Sequence, residues 1–196
     1  MVLEIIPIKI QEEIANDVNL VPLILESSEI NDGDILVFSQ KIVSKNEGRM
    51  LSLSSVNPSL LANGIASSYG KDPRLIELIL SESERIVRME NGIIIVKTKH
   101  GFVCANAGID ESNVQDGYAA LLPEDPDKSA NLLKERIEQK TGKNIAVIIS
   151  DTFGRPFRLG QTDIAIGIAG IEPILDYIGK PDTFGKIMQV TAIAIA

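Results

Sequence analysis

The chain has 196 residues, of which 44% are hydrophobic and 23% charged, and that is enough for one domain with a real core. Its net charge of −8 and its 4% aromatic content without tryptophan exclude the positive footprint of a duplex binder and the stacking platforms of a single-strand binder. One cysteine, Cys104, excludes an internal disulfide and a cysteine-rich metal site, and no apolar run approaches the ~20 residues that span a bilayer.

In chain order, "VLEIIPIKI" predicts a strand, and "NDGDILVFS" a turn and a strand ending near Ser39. "NPSLLANGIASSYG" predicts a helix capped by Asn57, with Pro58 in its first turn and Gly70 as its stop. "DPRLIELILSESERIV" predicts the next helix, with Leu75, Ile76, Ile79 and Leu80 on one face. "NGIIIVKT" predicts a hairpin turn and a strand, and "GFVCANAG" another short strand. "DPDKSANLLKERIEQKTG" is a capped amphipathic helix ending at Gly142. "KNIAVIIS" and "TDIAIGIAG" predict buried strands, and "KIMQVTAIAIA" a last core strand. The pattern is one compact α+β domain over residues 1–196. The N-terminus lacks the basic start and cleavage site of a signal peptide, so a cytoplasmic protein is expected. A core-type strand running flush to Ala196 leads us to expect a missing C-terminal segment.

Three loops carry candidate chemistry. "SQKIVSKNEGR" places Lys41, Lys45 and Arg49 after a strand, and Lys41 and Lys45 share a face if the loop is a helical turn. Such a turn offers N–H groups and ammonium charge to an anion, although it is not a Gly-rich phosphate loop; a solvated basic turn is the plain alternative. "CANAGIDESNV" sets Asn106, Asp110, Ser112 and Asn113 among small residues. These hard oxygen donors suit magnesium or manganese, and an Asx-rich turn needing no ligand is the alternative.

The third loop, "SDTFGRPFRLGQTD", follows an apolar strand. Asp151 at that strand's C-terminal end is placed as a metal-binding carboxylate, and Thr152 can add a hydroxyl. Arg155 and Arg158 are candidates to clamp phosphate or carboxylate oxygens, or else pair with Asp151 and Asp163 as a structural network. The lone histidine, His100, excludes a multi-histidine site and reads as structural. Together the loops suggest two aspartates that hold a divalent ion and a basic rim that holds an anion.

"QKIVSKNEGR", "GFVCANAGIDESNV", "LLPEDPDKSA" and "VIISDTFGRPFRLGQTDIAIGIAG", in this order, resemble the coenzyme F420-0 gamma-glutamyl ligases, over Pro7 to Ala196. The resemblance implies a distinctive α+β fold, neither Rossmann nor ATP-grasp, that forms an intertwined homodimer. It implies a GTP-dependent ligase that adds L-glutamate to the lactyl carboxylate of coenzyme F420-0, then gamma-linked glutamates, through an acyl phosphate. Magnesium or manganese and potassium are implied as cations. By matching positions, Asp110, Asp151 and Thr152 are implied metal ligands, and Gln40, Lys41, Lys45 and Asn113 nucleotide contacts. Gln11 to Ile14 falls where the family has a further nucleotide contact, though its residues differ. Family members continue beyond the position of Ala196 with a segment that supplies a glutamine metal ligand and more of the nucleotide pocket. The alternatives are a metal-dependent phosphohydrolase and a truncated, non-catalytic domain that binds nucleotide or coenzyme.

Overall fold

A computed structural model describes residues 3–196. The first half of the chain forms α1 (Leu20–Ser27), β1 (Ile35–Ser39), α2 (Gln40–Asn46), β2 (Met50–Ser52), α3 (Leu60–Tyr69), α4 (Pro73–Ser81), β3 (Ser83–Glu90) and β4 (Ile93–Thr98). The second half forms β5 (Val103–Ala105), β6 (Tyr118–Ala120), α5 (Pro126–Thr141), β7 (Ala146–Gly154), β8 (Gln161–Ala169), β9 (Ile174–Asp176) and β10 (Ala192–Ala194). The α+β expectation holds.

Helix boundaries follow their capping chemistry. Asp125 accepts from Lys128 N at 3.0 Å, Pro126 occupies the first turn, and Gly142 closes α5 in the left-handed region at φ 70°. The α3 cap is Ser59 rather than Asn57: its Oγ accepts from Ala62 N at 3.2 Å, which leaves Pro58 outside the helix. Helix α1, which the sequence reading missed, is capped by Asn19.

Three expected elements are corrected. The strand expected at the N-terminus is absent over residues 3–10, and its first residue, Val2, lies outside the described residues. Pro7 removes a ladder donor, so Ile8 and Ile10 only pack against the core while Leu3 and Ile5 stay exposed. The helix expected to run to Val87 stops at Ser81, because "SERIVRME" pairs with β4, a tertiary gain that overrides local helix preference. The last expected core strand is only β10, exposed at each residue and paired with the equally exposed β9.

Two apolar clusters organise the chain. In one, α1, α2 and α5 cover a three-stranded sheet of order β1–β7–β8, around Ile24, Val43, Ile137, Val147 and Ile149. In the other, α3 and α4 cover the antiparallel sheet β3–β4–β5, with Ile76, Ile79, Ile94 and Val96 at its centre. The β2–β6 ribbon contributes Ala119 to the second cluster.

The sheet β1–β7–β8 positions the chemistry. Strand β1 runs parallel to β7 with Ser39 opposite Ser150, and β7 turns back antiparallel onto β8. The segment from Asp151 to Gly154 therefore continues β7 instead of following its end, because its pairing extends to Gly154 opposite Gln161. Only the C-terminal half of β8 is buried, and the half near the hairpin turn is exposed. Where α5 crosses β8, Gly167 is required: a Cβ there would lie 2.3 Å from Pro126 O.

Candidate active site

Strand alternation sorts the residues of β7. Val147, Ile149 and Phe153 all point into the first core cluster, and Asp151 lies between the last two on that face. A carboxyl so placed is poorly hydrated. Burial pushes the Asp151 pKa above the ordinary carboxylate value, against a partial offset from the Thr152 backbone N–H, and the neighbouring Asp110 charge raises it further. The cation that opposes this is Lys41.

Lys41 reaches the site because β1 hands the chain directly to α2. The parallel register puts Ser39 beside Ser150, so α2 starts next to Asp151 and turns Lys41 toward Asp110. Lys41 Nζ donates to Asp110 Oδ2 at 2.7 Å, to Ser112 O at 2.7 Å and to Ser112 Oγ at 2.8 Å. Asp110 also accepts from Ser112 N at 2.7 Å and Ser112 Oγ at 2.8 Å. Burial alone would raise the Asp110 pKa, but hydrogen bonds from Lys41 and Ser112 outweigh it and hold the carboxyl below its ordinary value. Backbone hydrogen bonds to Ala120 in both directions fix Asp110 beside the end of β6.

The structure thus brings Asp110, Asp151 and Lys41 together, with opposite shifts on the two carboxyls. It does not bring the Thr152 side chain to them. Thr152 lies on the other face of β7, where its Oγ1 donates to Asp163 Oδ1 at 2.6 Å across the hairpin. Cys104 is buried nearby; desolvation, then the Asp151 charge, pushes its thiol up to about 11.

Arg155 and Arg158 occupy the exposed turn between β7 and β8. Arg155 Nη1 donates to Leu159 O at 3.3 Å within that turn, and Arg158 N to Arg155 O at 3.2 Å. Neither guanidinium is among the leading influences on Asp110 or Asp151, and neither forms an ion pair with Asp163 among the described residues. Arg155 lies four residue steps of extended chain beyond Asp151, a reach of roughly 13 Å.

A cleft of about 680 Å³ opens beside this cluster. Its lining joins residues far apart in sequence: Gln11, Ile14, Lys41, Lys45 and Asn113, all candidate nucleotide contacts. Lys41 and Lys45 do lie one helical turn apart on α2, and Lys45 Nζ stands 3.8 Å from the exposed Glu13. Gln40 faces the other way. Its buried Nε2 donates to Ser44 Oγ at 2.6 Å and Leu121 O at 3.1 Å, which anchors α2 instead of lining the cleft.

His100 is structural as expected: its Nε2 contacts the carbonyls of Pro123 and Glu124, and its ring stacks on Phe102. Ser112, the clasp between Lys41 and Asp110, is visible in the sequence only as one polar residue of an Asx-rich loop. The contribution of Lys9 to the cleft has no sequence signal, because an irregular segment carries it, while Glu12 and Glu13 lie within the Gln11–Ile14 segment that the resemblance pointed to.

A divalent cation fits this donor set on charge grounds. Two carboxylates close enough to repel, one of them buried beyond its solvation, are stabilised by a shared positive ion. Among the described residues, no group of three or more His, Cys, Asp or Glu side chains assembles, so the acidic donors here are the Asp110–Asp151 pair alone, and no helix is long and apolar enough to cross a membrane.

The sequence signature of the F420-0:gamma-glutamyl ligases matches residues 8–196. The chain belongs to that family. The coenzyme F420:L-glutamate ligase of Methanothermobacter thermautotrophicus is 51% identical over 168 residues, covering 86% of this chain and 67% of that protein. Those of Methanopyrus kandleri and Methanocaldococcus jannaschii are 43% and 45% identical, covering 98% and 91% of this gamma-glutamyl ligase family member. The matched spans make up 77% and 71% of those two proteins. The matched span contains both apolar clusters and all three loops.

Proposed function

We propose that this chain is a GTP-dependent ligase that joins L-glutamate to the lactyl carboxylate of coenzyme F420-0 and then adds gamma-linked glutamates. Family membership supports the ligase reading, and relatives carry the name coenzyme F420:L-glutamate ligase. The observation that carries the nucleotide reading is the single cleft that unites Gln11, Ile14, Lys41, Lys45 and Asn113 next to Asp110 and Asp151.

A carboxylate resists amide formation because its oxygen is a poor leaving group. Transfer of the GTP gamma-phosphoryl group to the lactyl carboxylate gives an acyl phosphate and GDP. The glutamate amine then attacks the acyl carbon, phosphate leaves, and the amine gives up a proton to solvent. In this scheme Lys45 and Asn113, which both line the cleft, hold the nucleotide phosphates. Lys41 neutralises Asp110 until ligands arrive and then turns to the transferring oxygens. Asp110 and Asp151 would hold magnesium or manganese, which supplies charge neutralisation on the phosphoryl group. Thr152 joins this set only through its backbone or after its hydroxyl leaves Asp163. Arg155 and Arg158 act on the acidic substrates only after the hairpin turn moves or meets another molecule. Potassium has no ligand set assigned to particular residues of this chain.

We further place the protein in the cytoplasm as a homodimer, without nucleic-acid or membrane partners. Phe157, Leu159, Phe184 and Val190 are exposed to 85% or more, an apolar surface that a second copy would cover. The deciding experiment measures phosphate release from GTP with coenzyme F420-0, with and without L-glutamate. Glutamate-dependent release with formation of the glutamyl product is expected. Equal release without glutamate would mean a phosphohydrolase, and nucleotide binding with no turnover a binding domain.

A further inference from the structure

The turn from β5 to Asp110 is built against conformational preference. Asn106, Ala107 and Gly108 have φ of 52°, 56° and 70°, three successive left-handed residues of which only one is glycine. L-residues avoid this region singly, and two in a row persist only where the surroundings impose them. Here Ala107 is buried in the second core cluster, and a Cβ on Gly108 would strike Leu122 at 2.7 Å. Asparagine tolerates the left-handed region because its carboxamide normally bonds to nearby backbone. At Asn106 that compensation is missing: Oδ1 is buried and accepts from no donor of the chain. A buried acceptor without a donor is costly, so such an atom calls for a partner from outside the chain.

The position of the turn indicates which partner. The turn is flanked by β5, which packs against β7, the strand that carries Asp151, and by Asp110, two residues beyond Gly108. Asn106 lies between those flanks. The two carboxylates alone offer few contacts to an ion that takes about six oxygen ligands. A neutral amide oxygen adds a hard donor without adding repulsion.

We infer that Asn106 Oδ1 is a further oxygen ligand, direct or through one bound water, for the divalent cation held by Asp110 and Asp151. This rests on the metal reading of the preceding section. On this view the left-handed turn serves to bring the amide oxygen and the Asp110 carboxylate to one ion from a short stretch of chain.

The test is manganese binding to the whole chain by calorimetry, with melting temperature as the control for folding. Asn106→Gly keeps the left-handed turn and removes only the carboxamide, so its metal-free melting temperature should stay close to wild type. Its manganese affinity should fall by about tenfold or more, the usual loss when a ligand or its hydrogen-bonded support is removed. Asn106→Asp, which keeps an oxygen and adds charge, should bind manganese at least as tightly as wild type. Unchanged affinity in Asn106→Gly, with affinity lost in Asp151→Asn, would overturn this inference and leave the Asp110–Asp151 site standing. Wild-type protein without manganese affinity would overturn both.

Discussion

Lys41 is the cation that the structure holds against Asp110, and replacing it with methionine separates its roles. Lys41→Met keeps the aliphatic stem and deletes three hydrogen bonds, at 2.7, 2.7 and 2.8 Å, around Asp110 and Ser112. A hydrogen bond to a charged group contributes about 1.5–3 kcal/mol. The Asp110 side chain is 43% exposed, so solvent screening puts the expected loss near the lower bound, about 1.5–2 kcal/mol. For a chain of this size that is a fall of about 3–8 °C in melting temperature.

The effect carries a pH signature. Asp110 has a depressed pKa in the folded state, so its stabilisation is present above the ordinary carboxylate value and is lost as pH falls through the depressed one. The melting difference between wild type and Lys41→Met should be complete at neutral pH and close in acid. Manganese affinity should rise several-fold, since the ion no longer displaces an ammonium from Asp110 Oδ2, while GTP affinity falls. Calorimetry with each ligand and melting curves across pH give all of these values. Weaker manganese binding in Lys41→Met, or a melting difference that persists at low pH, would refute the exchange of Lys41 for metal.

Asp151→Asn should abolish manganese binding yet raise the metal-free melting temperature, because a raised folded pKa makes ionised Asp151 a growing cost as pH climbs through it. That gain over wild type should increase from acid toward neutral pH; a gain independent of pH would contradict it. Lys45→Ala should weaken GTP binding by about 1.5–3 kcal/mol, roughly tenfold or more, with little change in stability, since its ion partner Glu13 is exposed at 3.8 Å. Coenzyme F420-0 titrated without nucleotide should bind Lys45→Ala nearly as it binds wild type, and an equal loss for both ligands would mean that Lys45 serves the coenzyme too. Gly167→Ala places a methyl 2.3 Å from Pro126 O. Backbone cannot yield as a side chain can, so a cost of about 3 kcal/mol is expected, or about 6–12 °C of melting temperature; a variant melting like wild type would mean that α5 is loosely seated.

What the sequence disclosed about this fold depended on range. Capping at Asp125 and Gly142 is local chemistry, and α5 was read with its ends nearly in place. The strand nature of "SERIVRME" rests on a partner, β4, and no local pattern announces it. The same division runs through the site. Asp110, Asp151, Lys41 and Lys45 could be chosen by residue type and position in motifs, and the structure gathers them around one cleft and one charge cluster. The direction of a side chain could not be read so easily. Gln40 turns inward to Leu121, and Thr152 takes the opposite face from Asp151, because helix phase and strand register decide orientation. The two arginines looked central because they follow Asp151 closely; a continuous hairpin carries them away from it.

The parallel pairing of β1 with β7 has a kinetic consequence. β1 ends at Ser39 and β7 begins at Ala146, so the whole second cluster lies inside the loop that this pairing closes. Contacts so distant in sequence form late, because loop closure must be met before they stabilise anything. The second cluster, assembled from nearer segments, should fold first, and pairing of β1 with β7 should follow. A register slip of one residue there would turn Asp151 out of its face of the sheet. Manganese affinity should therefore appear during refolding only with the slowest phase. A metal probe would report the final closure of the chain, while amide protection of β3 and β4 would report the earlier one.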